Sequence, residues 1–396
     1  MNELDTELQG LDRLLRGSFV VGAVGLIVCF VGGIFNPFSF FQSYLMAFVF
    51  WIGVPVGCFA ILMIHHLVGG TWGFVIQRPL EAAVRTFPVM GLLFIPLFCG
   101  MSYLFVWARP AVVMNDHLLQ EKAAYLNIPF FVLRYLIYFA IWIAVGYFLV
   151  KWSRQLERTD DSSFVAKIQA LSGPGLVLWG LTVTFSAIDW VMSLEPRWYS
   201  TIFGLIFMMS HGVAALGLMI GVVFMLSRRK PLADVMAPWI FQDLGNLMLA
   251  FVMLWIYVSF SQFMLIWIEN LSPEIPWYLH RTVGGWAVLG TFVVALQFAL
   301  PFLLLLSRAI KRDPAGLCAV ALLIVFMHLL EIFWFVAPAF HITGFSISWF
   351  DVIAPIGMGG IWLAAFLWLL QGVPLLPTHD PRFIAIVKER ELLKHG

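Results

Sequence analysis

Apolar positions in this chain gather in long blocks, interrupted by short polar connections, with neither the alternation of a strand nor the stripe of a surface helix. A helix needs about 20 apolar residues to cross a hydrocarbon core of roughly 30 Å. Ten blocks meet that length, at 18–35, 41–66, 85–108, 127–151, 172–193, 201–227, 240–268, 280–307, 314–336 and 352–371. The pattern predicts an all-α integral membrane protein with ten transmembrane helices.

The polar punctuation predicts how the blocks join. Asn36-Pro37 stops helix 1 and leaves a very short turn. Gly69-Gly70 follows helix 2, and Gly173-Pro174-Gly175 breaks helix 5 early. The connection 152–171, with Arg154, Glu157, Arg158, Asp160, Asp161 and Lys167, reads as a solvated loop. The connection 109–126 has room for a short surface helix around Asp116 and Glu121. Before helix 1, Leu4, Leu8, Leu11 and Leu15 share one helical face, which predicts a short helix lying on the membrane surface over residues 1–17. These residues lack a cleavable-signal pattern, so the N-terminus is expected to be retained.

Composition agrees, since 62% of the 396 residues are hydrophobic and only 11% charged. That leaves too little polar surface to coat a soluble globule. Of 23 Lys and Arg, eighteen fall in the two chain ends and the connections after helices 2, 4, 6 and 8. Four lie on the other side (Arg109, Lys122, Arg197, Arg281), and Arg134 is inside helix 4. Positive charge stays inside, so both termini are expected in the cytoplasm.

Chemistry is sparse. Cys29, Cys58, Cys99 and Cys318 all lie in apolar blocks without a Cys-x-x-Cys, and read as small buried hydrophobes. No phosphate loop, nucleophile elbow or HExxH occurs, so nucleotide and peptide hydrolysis are not expected. What remains is a set of polar groups inside the spans, where an ionisable residue is costly and points to function. By depth, Arg134, Asp189, Gln262, His328 and Glu331 belong to the outer half and His211 to the centre. His65, His66, Asp243 and Asn246 belong to the inner end. His328 and Glu331, three apart, share a helix face. Two such groups with a gap between them suit aqueous half-channels meeting near the midplane. The alternative is a structural role, with Arg134 paired to Asp189 or Glu331 and the histidines bonding between helices, but three carboxylates and two histidines inside spans exceed what packing needs. The pair His65-His66 admits three readings: proton feed, metal ligation, or capping of a helix C-terminus.

One stretch is distinctive. Asp189-Trp190-Val191-Met192-Ser193-Leu194-Glu195-Pro196 followed by Trp198-Tyr199-Ser200-Thr201-Ile202-Phe203-Gly204, together with the ten spans, resembles the F-type membrane subunit of bacterial alternative complex III, a quinol:electron-acceptor oxidoreductase. That family is related to the polysulfide-reductase-type (NrfD-like) membrane anchors. The resemblance implies two four-helix bundles, residues 36–196 (helices 2 to 5) and 197–345 (helices 6 to 9). Helix 1 (18–35) and helix 10 with its tail (346–396) would be peripheral, and 1–17 would be a cytoplasmic segment. It also implies partner subunits: a homologous quinol-oxidising membrane subunit, with iron-sulfur clusters and c-type haems carried by others. It implies no redox centre in this chain, quinone or quinol as the one ligand it could take directly, and a place in the bacterial inner membrane. Its expected role is proton conduction coupled to quinol oxidation next door, through the ten residues sorted by depth. The alternatives are a structural anchor or a second quinone-binding subunit.

Overall fold

The computed structural model describes residues 3–159, 161–229, 232–270, 275–341, 344–371 and 374–384, with side chains from Leu11 onward except Asp234. Every secondary-structure element among them is helical. Ten helices have membrane-spanning length: α1 (Glu3–Phe35), α2 (Pro37–Val68), α3 (Thr71–Cys99), α4 (Ile128–Thr159), α5 (Ser163–Leu194), α6 (Phe203–Leu226), α7 (Pro238–Glu269), α8 (Gly285–Leu306), α9 (Pro314–Ala339) and α10 (Phe350–Gln371). By length and composition this is a multi-pass membrane protein. Local chemistry sets two of the starts. Asn36 accepts from Ser39 N at 3.2 Å with Pro37 in the first turn, and Asp313 caps Ala315 N and Gly316 N ahead of Pro314.

The hub is α2, whose span is 89% buried against 22% for α8. It touches α1, α3, α5, α6, α9 and α10. Helices α2 to α5 close one ring and α6 to α9 a second, joined where α2 and α5 meet α6 and where α2 meets α9. Helices α1 and α10 run antiparallel and clasp each other through small residues. A Cβ on Gly22 would lie 2.4 Å from Ile361 N, and one on Gly360 2.5 Å from Gly22 N. Such backbone approach lets dispersion hold helices together where lipid removes the hydrophobic drive. With ten spans, α1 starts and α10 ends on one side, here termed the terminal side.

Four sequence expectations change. Residues 3–17 continue α1 as one unbroken helix, because no proline intervenes to separate a surface segment. The loop 152–171 is mostly helix: α4 runs on to Thr159 and α5 begins at Ser163, since charged residues past the lipid boundary still propagate a helix. Pro174 leaves α5 continuous, with Gly175 giving room to Met63, 2.8 Å from where a Cβ would sit. Helix 3 spans Thr71–Cys99 rather than 85–108, as Thr71–Val84 and Phe87–Cys99 joined at Arg85-Thr86. Arg78 and Glu81 make the first half read as a polar connection, yet both are buried and neutralise each other at 2.9 Å. Of the basic residues that predict orientation, Lys230, Lys388, Arg390 and Lys394 lie outside the described residues.

Candidate functional site

At the centre of the second ring stands Glu331, 2% exposed, held by side chains from all four helices. Its Oε1 accepts from Trp255 Nε1 of α7 at 2.7 Å. Its Oε2 accepts from Gln297 Nε2 of α8 at 2.9 Å and from the Ser210 hydroxyl of α6. The same oxygen faces His328 Nδ1 of α9 at 3.0 Å, the i,i+3 pair seen in the sequence. His328 Nε2 lies 3.2 Å from His211 Nδ1 of α6, the rings meeting edge to face at 88°. The chain His211, His328, Glu331 is therefore continuous, and which ring nitrogen holds each proton depends on tautomer.

The helices are shaped to this network. Residues 294–299 of α8 form a π-helical turn around Gln297, an irregularity common at functional sites. A Cβ on Gly53 of α2 would lie 2.2 Å from His211 Nδ1, so only glycine leaves space for the ring. Ser210 Oγ is 2.9 Å from His328 Nδ1 as well as bonded to Glu331. Its single proton can serve one or the other, which makes it a switchable link. Two polar atoms at the ends of the network, His211 Nε2 and Gln297 Oε1, are buried with no hydrogen-bond partner. An orphaned buried polar atom costs about 1–3 kcal/mol, which a water molecule at either end would relieve.

A second buried cluster sits in the first ring, toward the side away from the termini. Arg134 grips Asp189 with Nε and Nη2, both at 2.8 Å, and Tyr138 donates to the same carboxylate at 2.7 Å. The guanidinium also donates to Tyr125 O and lies over the Tyr125 and Phe130 rings at 3.9 and 4.4 Å. This is the chemistry of a satisfied ion pair: each guanidinium nitrogen of Arg134 and each carboxylate oxygen of Asp189 has a partner. Also on this side, Arg281, at the end of the short helix Ile275–Arg281 that precedes α8, pairs with Glu195 at 2.7 Å and donates to the carbonyls of Trp334 and Phe335 in the last turns of α9. Asp116 caps Leu118 N and pairs with Arg197. Desolvation pushes its carboxyl up, but the Arg197 contact and the backbone bonds outweigh that and hold it below the usual range.

On the terminal side, Arg78 bridges Glu81 and Glu157, both at 2.9 Å, with Ser153 donating to Glu81 at 2.6 Å. Glu157 also accepts from Thr378 at 3.0 Å and from His379 N, which draws the segment 374–384 over this end. Arg382 of that segment donates to His66 O at 3.1 Å. His65 and His66 are fully buried beneath it, and none of their ring nitrogens has a hydrogen-bond partner. No metal-holding group of three or more His, Cys, Asp or Glu occurs among the described residues.

The two depth groups of the sequence thus separate into five environments. Asp189 shares its carboxylate with Arg134 and Tyr138, and the His211–His328 pair belongs to Glu331 in the other ring. Gln262 accepts from Ser200 at 2.6 Å, apart from either network. Asn246 accepts from Lys311 at 2.7 Å, and Asp243 lies one helical turn before it on α7. His65 and His66 are interior rather than interfacial caps. Depth is encoded by position in a span, whereas the direction a side chain faces depends on neighbours that the sequence does not name. Ser210, Trp255, Gln297, Tyr138, Arg78 and Glu81 were absent from the predicted set. The spacing of Ser210 beside His211, and Gln297 at mid-depth in α8, are the signals that point to two of them. Compared with known proteins, the chain matches no family model and no curated protein.

Proposed function

We propose that this chain is a proton-conducting membrane subunit of a respiratory quinol:electron-acceptor oxidoreductase of the alternative complex III type, working beside a quinol-oxidising subunit in a bacterial inner membrane. The resemblance of the 189–204 stretch suggests the family, and one observation carries the proton role: Glu331 bonded from four helices and joined through His328 to His211. Imidazole accepts a proton on one nitrogen and releases one from the other, so His211 and His328 pass a proton toward Glu331 by exchanging tautomers. Trp255 and Gln297 hold the carboxylate in place while it changes charge. Water reaching His211 Nε2 and Gln297 Oε1 would connect the relay to the two sides. Quinol chemistry in the neighbouring subunit would drive it by biasing two arrangements of these helices.

The test uses the assembled complex in sealed vesicles with quinol oxidation confirmed normal. Glu331→Gln is expected to lower the proton-to-electron ratio while electron transfer continues. An unchanged ratio refutes proton conduction through Glu331, and loss of assembly alone favours a structural anchor.

A second reading, quinone binding in this chain, is favoured by an apolar groove of about 510 Å³ between α1, α2, α9 and α10. Phe50 and Trp51 line it, and the Phe50 ring also lies 5.6 Å from that of His328 between centroids. A quinone ring there would sit one aromatic layer from the relay.

A further inference from the structure

Near the terminal side of the first ring, the surface between α3 and α4 holds a pocket of about 370 Å³ lined by Arg85, Tyr147, Lys151, Arg154, Gln155 and Arg158. On α4 the spacing 147, 151, 154, 155 and 158 places these residues on one face. Arg85 enters from the turn that joins the halves of α3. Four cations converge, and no ion pair joins any of them to a carboxylate among the described residues. The nearby acids are already engaged: Glu81 with Arg78, Gln77 and Ser153, and Glu157 with Arg78 and His379. Arg85 has one long bond, to Leu369 O at 3.4 Å. Arg154 Nε is buried and has no partner. Four like charges around one cavity, with a buried guanidinium N–H that has no protein acceptor, form a site whose chemistry suits an anion.

We infer that this pocket binds the phosphate of an anionic membrane lipid. A phosphate oxygen satisfies Arg154 Nε and screens the mutual repulsion of the four cations. A lipid is favoured over a soluble anion because the same face continues into the exposed apolar surface of α4. Tyr147 and Phe148 are exposed there, and Lys151 marks the boundary between the apolar and charged stretches. Acyl chains can lie along that surface while the headgroup occupies the basic pocket, the arrangement expected of cardiolipin-like sites between spans.

The experiment titrates the purified, delipidated full chain in detergent with phosphatidylglycerol, phosphatidylcholine or inorganic phosphate, reading bound adducts by native mass spectrometry. The inference expects phosphatidylglycerol to bind at least tenfold more tightly than phosphatidylcholine. Arg154→Gln with Arg158→Gln is expected to weaken it about 25-fold, at about fivefold per charge removed. Arg158→Gln alone, at an exposed position, should weaken it about fivefold without disturbing the fold. Arg228→Gln, on the same side but outside the pocket, should change nothing. Equal binding of both lipids, or an Arg158→Gln protein indistinguishable from the parent, overturns the site. Inorganic phosphate that binds as tightly as phosphatidylglycerol overturns the lipid assignment.

Discussion

Replacing Asp189 with asparagine keeps its size and deletes its charge, and the structure sets the cost. Asp189 accepts two bonds from Arg134 and one from Tyr138. An asparagine oxygen can retain one or two of these, while its NH2 group points a donor at a guanidinium. Interhelical bonds inside membranes contribute on average about 0.6 kcal/mol each, so the lost bonds account for about 1 kcal/mol. The larger part is Arg134 itself. Left with Tyr125 O and two aromatic faces, it becomes an uncompensated buried cation, which costs about 2.5–3.5 kcal/mol deep in a bilayer. The sum, about 4 kcal/mol, matches the 3–5 kcal/mol typical of breaking one partner of a buried pair. Thermal unfolding in detergent, followed by the size-exclusion peak after heating, reads this out. At ~2.1 cal/mol/K per residue the unfolding entropy of 396 residues is roughly 0.8 kcal/mol/K, so the midpoint falls by at least about 5 °C. Membrane helices retain backbone bonds when the fold opens, which lowers that entropy and enlarges the shift. The cycle of Asp189→Asn, Arg134→Gln and the double variant should show the double less destabilised than the two singles added, by about 2 kcal/mol or more. Single variants within 1 °C of the parent, with additive effects, would refute a tightly coupled pair.

Gly53→Ala tests the seat of the relay, because its methyl would overlap His211 Nδ1. A loss of about 1–3 kcal/mol in thermal stability is expected, together with a lower proton-to-electron ratio in the assembled complex; an unaffected protein would mean the ring has room the structure does not give it. Glu157→Gln removes the charge and one of the two acceptor oxygens that tie Thr378 and His379 to Arg78, so limited proteolysis in detergent should cut within 374–384 faster than in the parent, and an equal rate would show that the segment is held by other contacts.

Fold class was legible because crossing a bilayer demands a run of apolar residues long enough to be seen in any window. Where the helices end was less legible. A hydropathy window stops at the first charges, and this chain continues its helices past them: α4 and α5 extend through Arg154, Glu157 and Lys167. The same window misplaced α3, because Arg78 and Glu81 look like solvent-facing residues until their mutual pairing is seen. That pair neutralises itself within one helix turn, so a polar sequence was compatible with a buried place.

For the candidate site, the linear chain determined which groups lie inside the membrane and roughly how deep. The cost of burying charge singled out Asp189, Glu331, Arg134 and the two deep histidines, and the i,i+3 spacing put His328 beside Glu331. Only the tertiary structure decided who meets whom. Helix azimuth follows from steric fit, such as Gly53 yielding space to His211 and glycines drawing α1 against α10. That fit gave Arg134 to Asp189 and the histidines to Glu331, in separate rings. It also gave Trp255, Gln297 and Ser210 their common partner in Glu331; mid-depth position hinted at Gln297 and adjacency to His211 at Ser210, but neutral polar side chains are frequent enough in spans that only a shared partner singles them out.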